Sequence, residues 1–157
     1  MATELRPGAF TKLCAEIAAE SRLRSVKTLT ELAANIEKQA KINASNSSHK
    51  YGTKTPALPG EGPSVISGNL RRAITHTPVR TVGPDTLEML VGTAIGFPAP
   101  YGSRTPANRY GFYLEITGVG PHKNRYPFLQ PAFKFSMGVP ARLIYAKNFG
   151  YGWKTLI

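Results

Sequence analysis

The chain has 157 residues and a formal net charge of +11, from twenty Lys and Arg against nine Asp and Glu. Its 41% hydrophobic content excludes a disordered polypeptide, and its length suits one domain, 1–157, with a core of its own. No apolar run approaches the roughly 18–20 residues that span a bilayer, and a single cysteine excludes an internal disulfide.

Met1-Ala-Thr-Glu-Leu-Arg-Pro7 lacks the apolar stretch of a signal peptide, so synthesis and use in a cytoplasm are expected. The cation excess favours nucleic acid, an anionic surface or an acidic protein as partner. The basic residues are scattered rather than massed in a tail, so a plain solvated basic surface accounts for them as well.

Residues 9–43 read as a helix. Phe10, Leu13, Cys14, Ile17 and Ala18, then Val26, Leu29, Leu32, Ala33, Ile36 and Ala40, recur in steps of three and four along one face. Cys14 on that face reads as a small core residue. Pro7 and Gly8 stand just before the helix, and Glu20-Ser-Arg-Leu-Arg-Ser25 is its weakest part, compatible with a bend or break. Such a helix needs a partner along its apolar side, either a sheet of its own domain or a neighbouring subunit. Glu37 and Lys41, four apart with the acid first, add a small local attraction.

Residues 44–63 hold many turn formers and little core material, and read as a long exposed loop of the kind that is functional or orders on a partner. The core with its hairpin is expected within 64–135. Ser67 to Thr75 reads as a short helix with Ser67 as N-cap, Leu70, Ala73 and Ile74 facing inward, and Arg71 and Arg72 pointing elsewhere. Thr77-Pro-Val-Arg-Thr-Val82 and Thr86-Leu-Glu-Met-Leu-Val-Gly-Thr93 flank Gly83-Pro84-Asp85, which predicts a hairpin whose return strand lies under the long helix.

A second Gly/Pro-rich loop covers 94–108. The block 109–117 fits a helical face through Tyr110, Tyr113 and Leu114, and a strand through Phe112, Leu114 and Ile116. A helical turn leading into a short extended segment is the preferred reading. Residues 128–149 read as a further strand or helix, with Pro131 at a permissible first-turn position and Gly138 and Pro140 against one unbroken helix. The aromatic, glycine-rich end, Phe149-Gly-Tyr-Gly-Trp-Lys-Thr-Leu-Ile157, reads as the extended tip of a docking segment, 136–157. No internal repeat is found.

Catalytic and cofactor chemistry has little to stand on. His49, His76 and His122 lie far apart, in loops or at a strand edge, and one Cys cannot complete a zinc site. No phosphate-binding loop or nucleophile elbow occurs, and no pair of acids stands out. The expectation is a protein that is not an enzyme, with no metal and no cofactor. Glu115 is the one acid in an apolar setting. A structural partnership with Arg71, Arg72 or Arg109 explains it better than a catalytic role, because an ionised acid there needs a partner. A basic nucleic-acid-binding protein is the alternative function: Tyr and Phe interleave with Arg and Lys from Arg104 to Lys134, although no helix-turn-helix, zinc-finger or RNP-type signature is present.

Three blocks come in order after the long helix: Ser67-Gly-Asn-Leu-Arg-Arg-Ala-Ile74, Tyr110-Gly-Phe-Tyr-Leu-Glu115 and Pro127-Phe-Leu-Gln-Pro-Ala132. Together, over roughly residues 10–135, they resemble the head–tail joining family of tailed bacteriophages, also called neck, tail-completion or minor tail proteins. That family's pattern runs Thr/Ser-Gly-x-Leu-Arg-x-Ser/Ala-Ile, then Tyr-Ala-x-Tyr-Leu-Glu-Phe-Gly-Thr, then Pro-Phe-Leu-Arg-Pro-Ala. Glu115-Ile-Thr-Gly118 stands where Glu-Phe-Gly-Thr is usual, and Gln130 where Arg is common. The C-terminal part is short and aromatic, where a longer charged helix is often seen.

The resemblance implies an α+β fold, an antiparallel sheet packed against the long helix, with long loops and an extended C-terminal tail. It implies a structural virion protein at the head–tail junction, assembled in the host cytoplasm. Identical subunits would form a ring, six-fold or twelve-fold, between a portal, adaptor or stopper ring and tail-terminator or tail-tube proteins. Double-stranded DNA would pass through the lumen, and no membrane would be involved. Candidate subunit or partner contacts are Arg71, Arg72, Tyr101, Arg104, Tyr110, Tyr126, Phe149, Tyr151 and Trp153. Candidate structural residues are Ser67, Gly68, Leu70, Glu115, Pro127, Phe128 and Pro131. Loops 44–63 and 94–108 are the candidates for reaching adjacent subunits. Acidic protein patches suit the basic charge better than DNA, since a lumen dense in Lys and Arg would hold phosphates and hinder passage.

Overall fold

The structure, a computed structural model, describes residues 7–45, 57–58, 61–63, 68–96, 105–118 and 123–150. Its architecture is α+β, as expected: a long N-terminal helix lies against a small antiparallel hairpin and a group of shorter helices.

Helix α1, Pro7–Asn43, has 37 residues, about 55 Å at 1.5 Å per residue. It takes in Pro7 and Gly8, which the sequence reading left outside; proline is tolerated in a first turn because its missing N–H has no partner there. The segment 20–25 is unbroken. Arg24 reaches back to Glu20 at 2.6 Å and across to the Asn148 carbonyl at 2.9 Å, and Ser25 Oγ donates to the Ser21 carbonyl at 2.9 Å. The apolar stripe is covered only in its second half. Ala33, Ile36, Ala40 and Ala44 are buried, whereas Phe10, Cys14 and Ile17 are exposed. The expectation that Cys14 is a core residue is therefore corrected: among the described residues nothing covers that end of the stripe.

Helix α2, Asn69–Ala73, starts from Gly68 in a left-handed conformation, φ 72°, whose carbonyl accepts from Arg72 N at 2.9 Å. Gly68 is the capping residue, with no side-chain cap; Ser67, expected in that role, lies outside the described residues. Leu70, Ala73 and Ile74 are buried and Arg71 and Arg72 exposed, matching the expected faces. Ile74 already belongs to a strand.

Four short strands follow: β1 Ile74–His76, β2 Arg80–Gly83, β3 Thr86–Glu88 and β4 Val91–Thr93. β1 pairs with β4 and β2 with β3, both antiparallel, so the four form one long hairpin. Thr77 N donates to the Leu90 carbonyl at 2.9 Å, and the next pair is Arg80 with Glu88. Three steps on one side thus match two on the other, and the extra residue falls beside Pro78, which has no N–H for the ladder. A second extra residue, Val82, sits between the pairs Thr81–Leu87 and Gly83–Thr86. The tip is Pro84-Asp85. β1 and β4 both touch α1.

Helix α3, Ala107–Phe112, runs directly into a π-helical turn, Tyr113–Thr117. The expected short extended segment after Tyr110 is absent. Helix α4, Leu129–Ser136, and helix α5, Val139–Phe149, are separated at Gly138, with Pro140 in the first turn of α5. α1 packs most extensively on α4 and then on α5. Polar contacts hold the three together: Asn43 Nδ2 donates to the Phe128 carbonyl at 3.0 Å, Ser136 Oγ to Asn35 Oδ1 at 2.9 Å, and Lys147 Nζ to Glu31 Oε1 at 3.0 Å. The described part of the 136–157 segment therefore lies on its own chain's long helix.

The core joins Ile36, Ala40, Ala44, Leu70, Ile74, Leu114, Tyr126, Phe128 and Ala132 with Ala57. Ala57 and Pro63 are buried, so the stretch 44–63 is not exposed throughout: small apolar side chains within it fill the core. Each large side chain buried here contributes about 1.5–3 kcal/mol.

Candidate assembly surface

The two aromatic blocks meet through Glu115. Its Oε2 accepts from the backbone N–H groups of Phe128 at 2.9 Å and Leu129 at 3.0 Å, and its Oε1 from that of Gln130 at 2.7 Å. These amides open α4 and have no intrahelical partner. A carboxylate is well suited to them, since the charge also meets the positive end of the helix dipole. The expectation of an arginine partner for Glu115 is thus corrected. Its partners are backbone amides, while Arg71, Arg72 and Arg109 lie exposed.

The π-helical turn sets the carboxylate in place. Gly118 N donates to the Tyr113 carbonyl at 2.7 Å and closes the turn, and Tyr126 N donates to the Leu114 carbonyl at 2.9 Å, drawing the returning chain alongside. Gly118, at φ 81°, lets the chain cross itself there, because a Cβ would lie 2.0 Å from the Lys123 carbonyl oxygen. Pro127 is half-buried, Phe128 fully buried, and Pro131 exposed in the first turn of α4. Gln130 contributes its backbone to the clasp and leaves its side chain exposed.

Of the residues expected at a partner surface, Tyr126 lies inside and Tyr110 partly so. Tyr126 is 6% exposed and belongs to the core, and Tyr110 is half-buried against it. Burial, followed by the neighbouring Tyr126, pushes the Tyr110 phenol above its ordinary range, so it stays protonated. Both were read as interface residues because an aromatic ring looks alike in sequence at a core and at an interface. Phe149 is half-buried and stacks on Tyr145, ring centroids 4.8 Å apart. Arg72 donates to Asn69 within α2. Tyr101, Arg104, Tyr151 and Trp153 lie outside the described residues, as do His49 and His122.

What the surface does offer is apolar. Phe133, Phe135, Met137, Val139, Leu143 and Tyr145, on α4, α5 and their junction, are all exposed, Phe135 at 58% and Leu143 at 65%. Phe112, Tyr113 and Ile116 add exposed apolar surface around the π-helical turn. Sequence periodicity missed this, because it assigned the segment to either a strand or a helix and so could not sort its faces.

The charged residues are sorted just as unevenly. Glu31 is held below its ordinary range chiefly by the Lys147 hydrogen bond. Burial alone would raise Glu37, but hydrogen bonds from Lys41 and His76 outweigh it and hold the carboxyl low. His76, expected in a loop or at a strand edge, ends β1 and places Nδ1 2.5 Å from Glu37 Oε2. Lys38, Arg71, Arg109, Lys134 and Arg142 have no acidic partner among the described residues. Lys38, Lys41, Arg71 and His76 share a hollow of about 610 Å³ between the end of α1 and the start of the hairpin, with Glu37 and Ile42 also on its walls.

Among the described residues, no three His, Cys, Asp or Glu side chains are grouped to hold a metal ion, and no helix is long and apolar enough to cross a membrane. No family model, no curated protein and no solved structure matches the chain.

Proposed function

We propose that the chain is a structural connector of a tailed-phage virion, whose identical subunits form a ring at the head–tail junction. The observation that carries this reading is the set of large apolar side chains left exposed on α4 and α5 of a strongly basic chain. Exposed apolar patches mark sites that a protein, a membrane or a ligand covers, and this reading takes the cover to be a protein. The order of the three sequence blocks supplies the family, and the Glu115 clasp gives two of them a common physical purpose.

The mechanism is assembly. Burial of α4–α5 apolar surface drives association against the entropy of ordering side chains and loops. Heterologous contacts whose rotation closes produce the ring. The surplus cations face acidic patches on the portal-side or tail-side ring, and the lumen passes double-stranded DNA. Loops 44–63 and 94–108 and the aromatic tail are the further contact segments of this reading.

The mass of the purified protein in solution, alone and with phage tails or tail-terminator rings, tests it by light scattering. A ring or stable complex formed with those partners is the expected result. A monomer that ignores tails and heads yet binds duplex DNA with a steep salt slope would replace this reading with the nucleic-acid one.

A further inference from the structure

Every acid among the described residues but one is already engaged within the chain. Glu16, Glu20, Glu31, Glu37 and Glu88 form ion pairs, Glu115 caps α4, and Glu61 also has a partner. Asp85 is the exception. It is exposed at the tip of the hairpin, with Val82 half exposed, at 50%, in the bulge beside it. The tip therefore lies along α1, sharing a hollow with Ala18, Arg22 and Ser25, and exposes Val82 and one carboxylate that forms no ion pair among the described residues.

The hollow at the other end of the hairpin has the complementary character. Lys38 and Arg71 stand at it without acidic partners, and Ile42 is 47% exposed on its wall. Lys41 and His76 are oriented there by Glu37. Within one chain the two surfaces cannot meet. Arg22 Nη2 donates to Thr81 Oγ1 at 2.7 Å and fixes the tip beside the first half of α1. The hollow begins at Ala34, twelve residues further along that helix, and Lys38 on its wall lies sixteen residues along, about 24 Å away.

We infer that the hairpin tip of one copy, Val82 to Asp85, seats in the Lys38–Arg71 hollow of the next. This rests on the ring reading above and specifies one of its subunit contacts. The occupant is a second copy rather than nucleic acid for two reasons. The apolar share of the hollow finds a match in Val82, and a duplex backbone offers none. Donor and acceptor also sit at opposite ends of the hairpin, the arrangement a head-to-tail contact requires. Repulsion between the basic subunits is screened beyond roughly 8 Å at physiological salt, so local complementarity sets the register.

The test uses the full chain with Cys14→Ser, which removes the native exposed thiol, in the presence of the tails or tail-terminator rings that elicit assembly. Asp85→Cys and Lys38→Cys together should give a disulfide-linked ladder on non-reducing gels, and neither substitution alone should. Asp85→Lys should weaken assembly on the order of tenfold, and adding Lys38→Asp with Arg71→Asp should restore it. All three positions are exposed, and unchanged circular dichroism shows that the fold is kept. Wild-type rings that form normally, with no ladder and no loss in Asp85→Lys, overturn this contact and leave the ring standing. A wild-type chain that stays monomeric overturns both. Loss of duplex binding in Lys38→Asp with Arg71→Asp, and not in Asp85→Lys, gives the hollow to nucleic acid instead.

Discussion

Glu115 and Pro131 complete the start of α4 between them. The carboxylate takes the N–H groups of Phe128, Leu129 and Gln130, and the next residue is a proline with no N–H to satisfy. A helix whose first turn lacks a Ser, Thr, Asp or Asn cap is thus satisfied by an acid thirteen residues earlier. The Tyr-Leu-Glu and Pro-Phe-Leu-x-Pro-Ala blocks depend on each other for this reason.

Glu115→Ala leaves those amides without their acceptor and should destabilise the fold by about 2–3 kcal/mol, the range of a lost cap with charge-assisted bonds. Glu115→Gln keeps one acceptor oxygen and should cost less. Glu115→Asp is too short to span both sites and should fall near Ala. Urea unfolding of the three variants checks the order. Equal stability for Ala and wild type would mean that water replaces the carboxylate without cost.

How much of this was legible in the sequence differs by element. The spacing of Leu29, Leu32, Ala33, Ile36 and Ala40 located α1, but spacing says which side is apolar and not what covers it, so Cys14 was assigned to a core that does not reach it. The hairpin was legible from Gly83-Pro84-Asp85, and Pro78 carried an unread sign of the first bulge. Glu115 was noticed as an acid in an apolar setting, yet its partner was sought among arginines. The missing local cap before Leu129 was the signal that pointed to the backbone. The partner of His76 lies 39 residues away on α1, a juxtaposition that only the packing of β1 on the helix creates.

Stability should fall with acid through Glu31 and Glu37. Both have folded-state pKa values below the ordinary 4.5. Each therefore stabilises the fold fully above about pH 4.5, where the unfolded group is ionised, and that contribution is lost as pH falls through the folded value. Urea unfolding at pH 7 and at successively lower pH should show a decline confined to the range below the ordinary value. Glu37→Gln should flatten it. His76→Ala removes one of the hydrogen bonds that hold Glu37 low and should make the decline smaller and end it at higher pH.

Gly118 and Gly111 should respond very differently to alanine. At Gly118 the added carbon lies 2.0 Å from the Lys123 carbonyl oxygen, and φ is 81°, so both backbone crossing and local conformation resist it. A loss of about 3 kcal/mol or more follows. At Gly111 the nearest atoms are Thr93 Cγ2 at 3.1 Å, Leu70 Cδ1 at 3.2 Å and Thr93 Oγ1 at 3.3 Å, side-chain atoms that must give by a few tenths of an ångström. Replacing glycine inside a helix returns about 1 kcal/mol, so Gly111→Ala should be close to neutral. Thermal melts separate the two, at roughly 2–4 °C per kcal/mol for a chain of this size.

The apolar surface of α4 and α5 should matter to assembly and not to folding. Phe135 and Leu143 are more than half exposed, so Phe135→Ser and Leu143→Ser remove little that the monomer buries, and each should change stability by no more than about 0.5 kcal/mol. Phe128, on the neighbouring turn, is 2% exposed, and Phe128→Ala should cost about 3–5 kcal/mol by leaving a cavity. If α4–α5 is the surface that partners cover, the serine variants should remain folded monomers that fail to join tails or tail-terminator rings in light scattering, while Phe128→Ala should fail by unfolding. Serine variants that assemble like wild type would show that these side chains stay in solvent in the proposed assembly, and the contacts would then have to lie on the hairpin and the basic hollow.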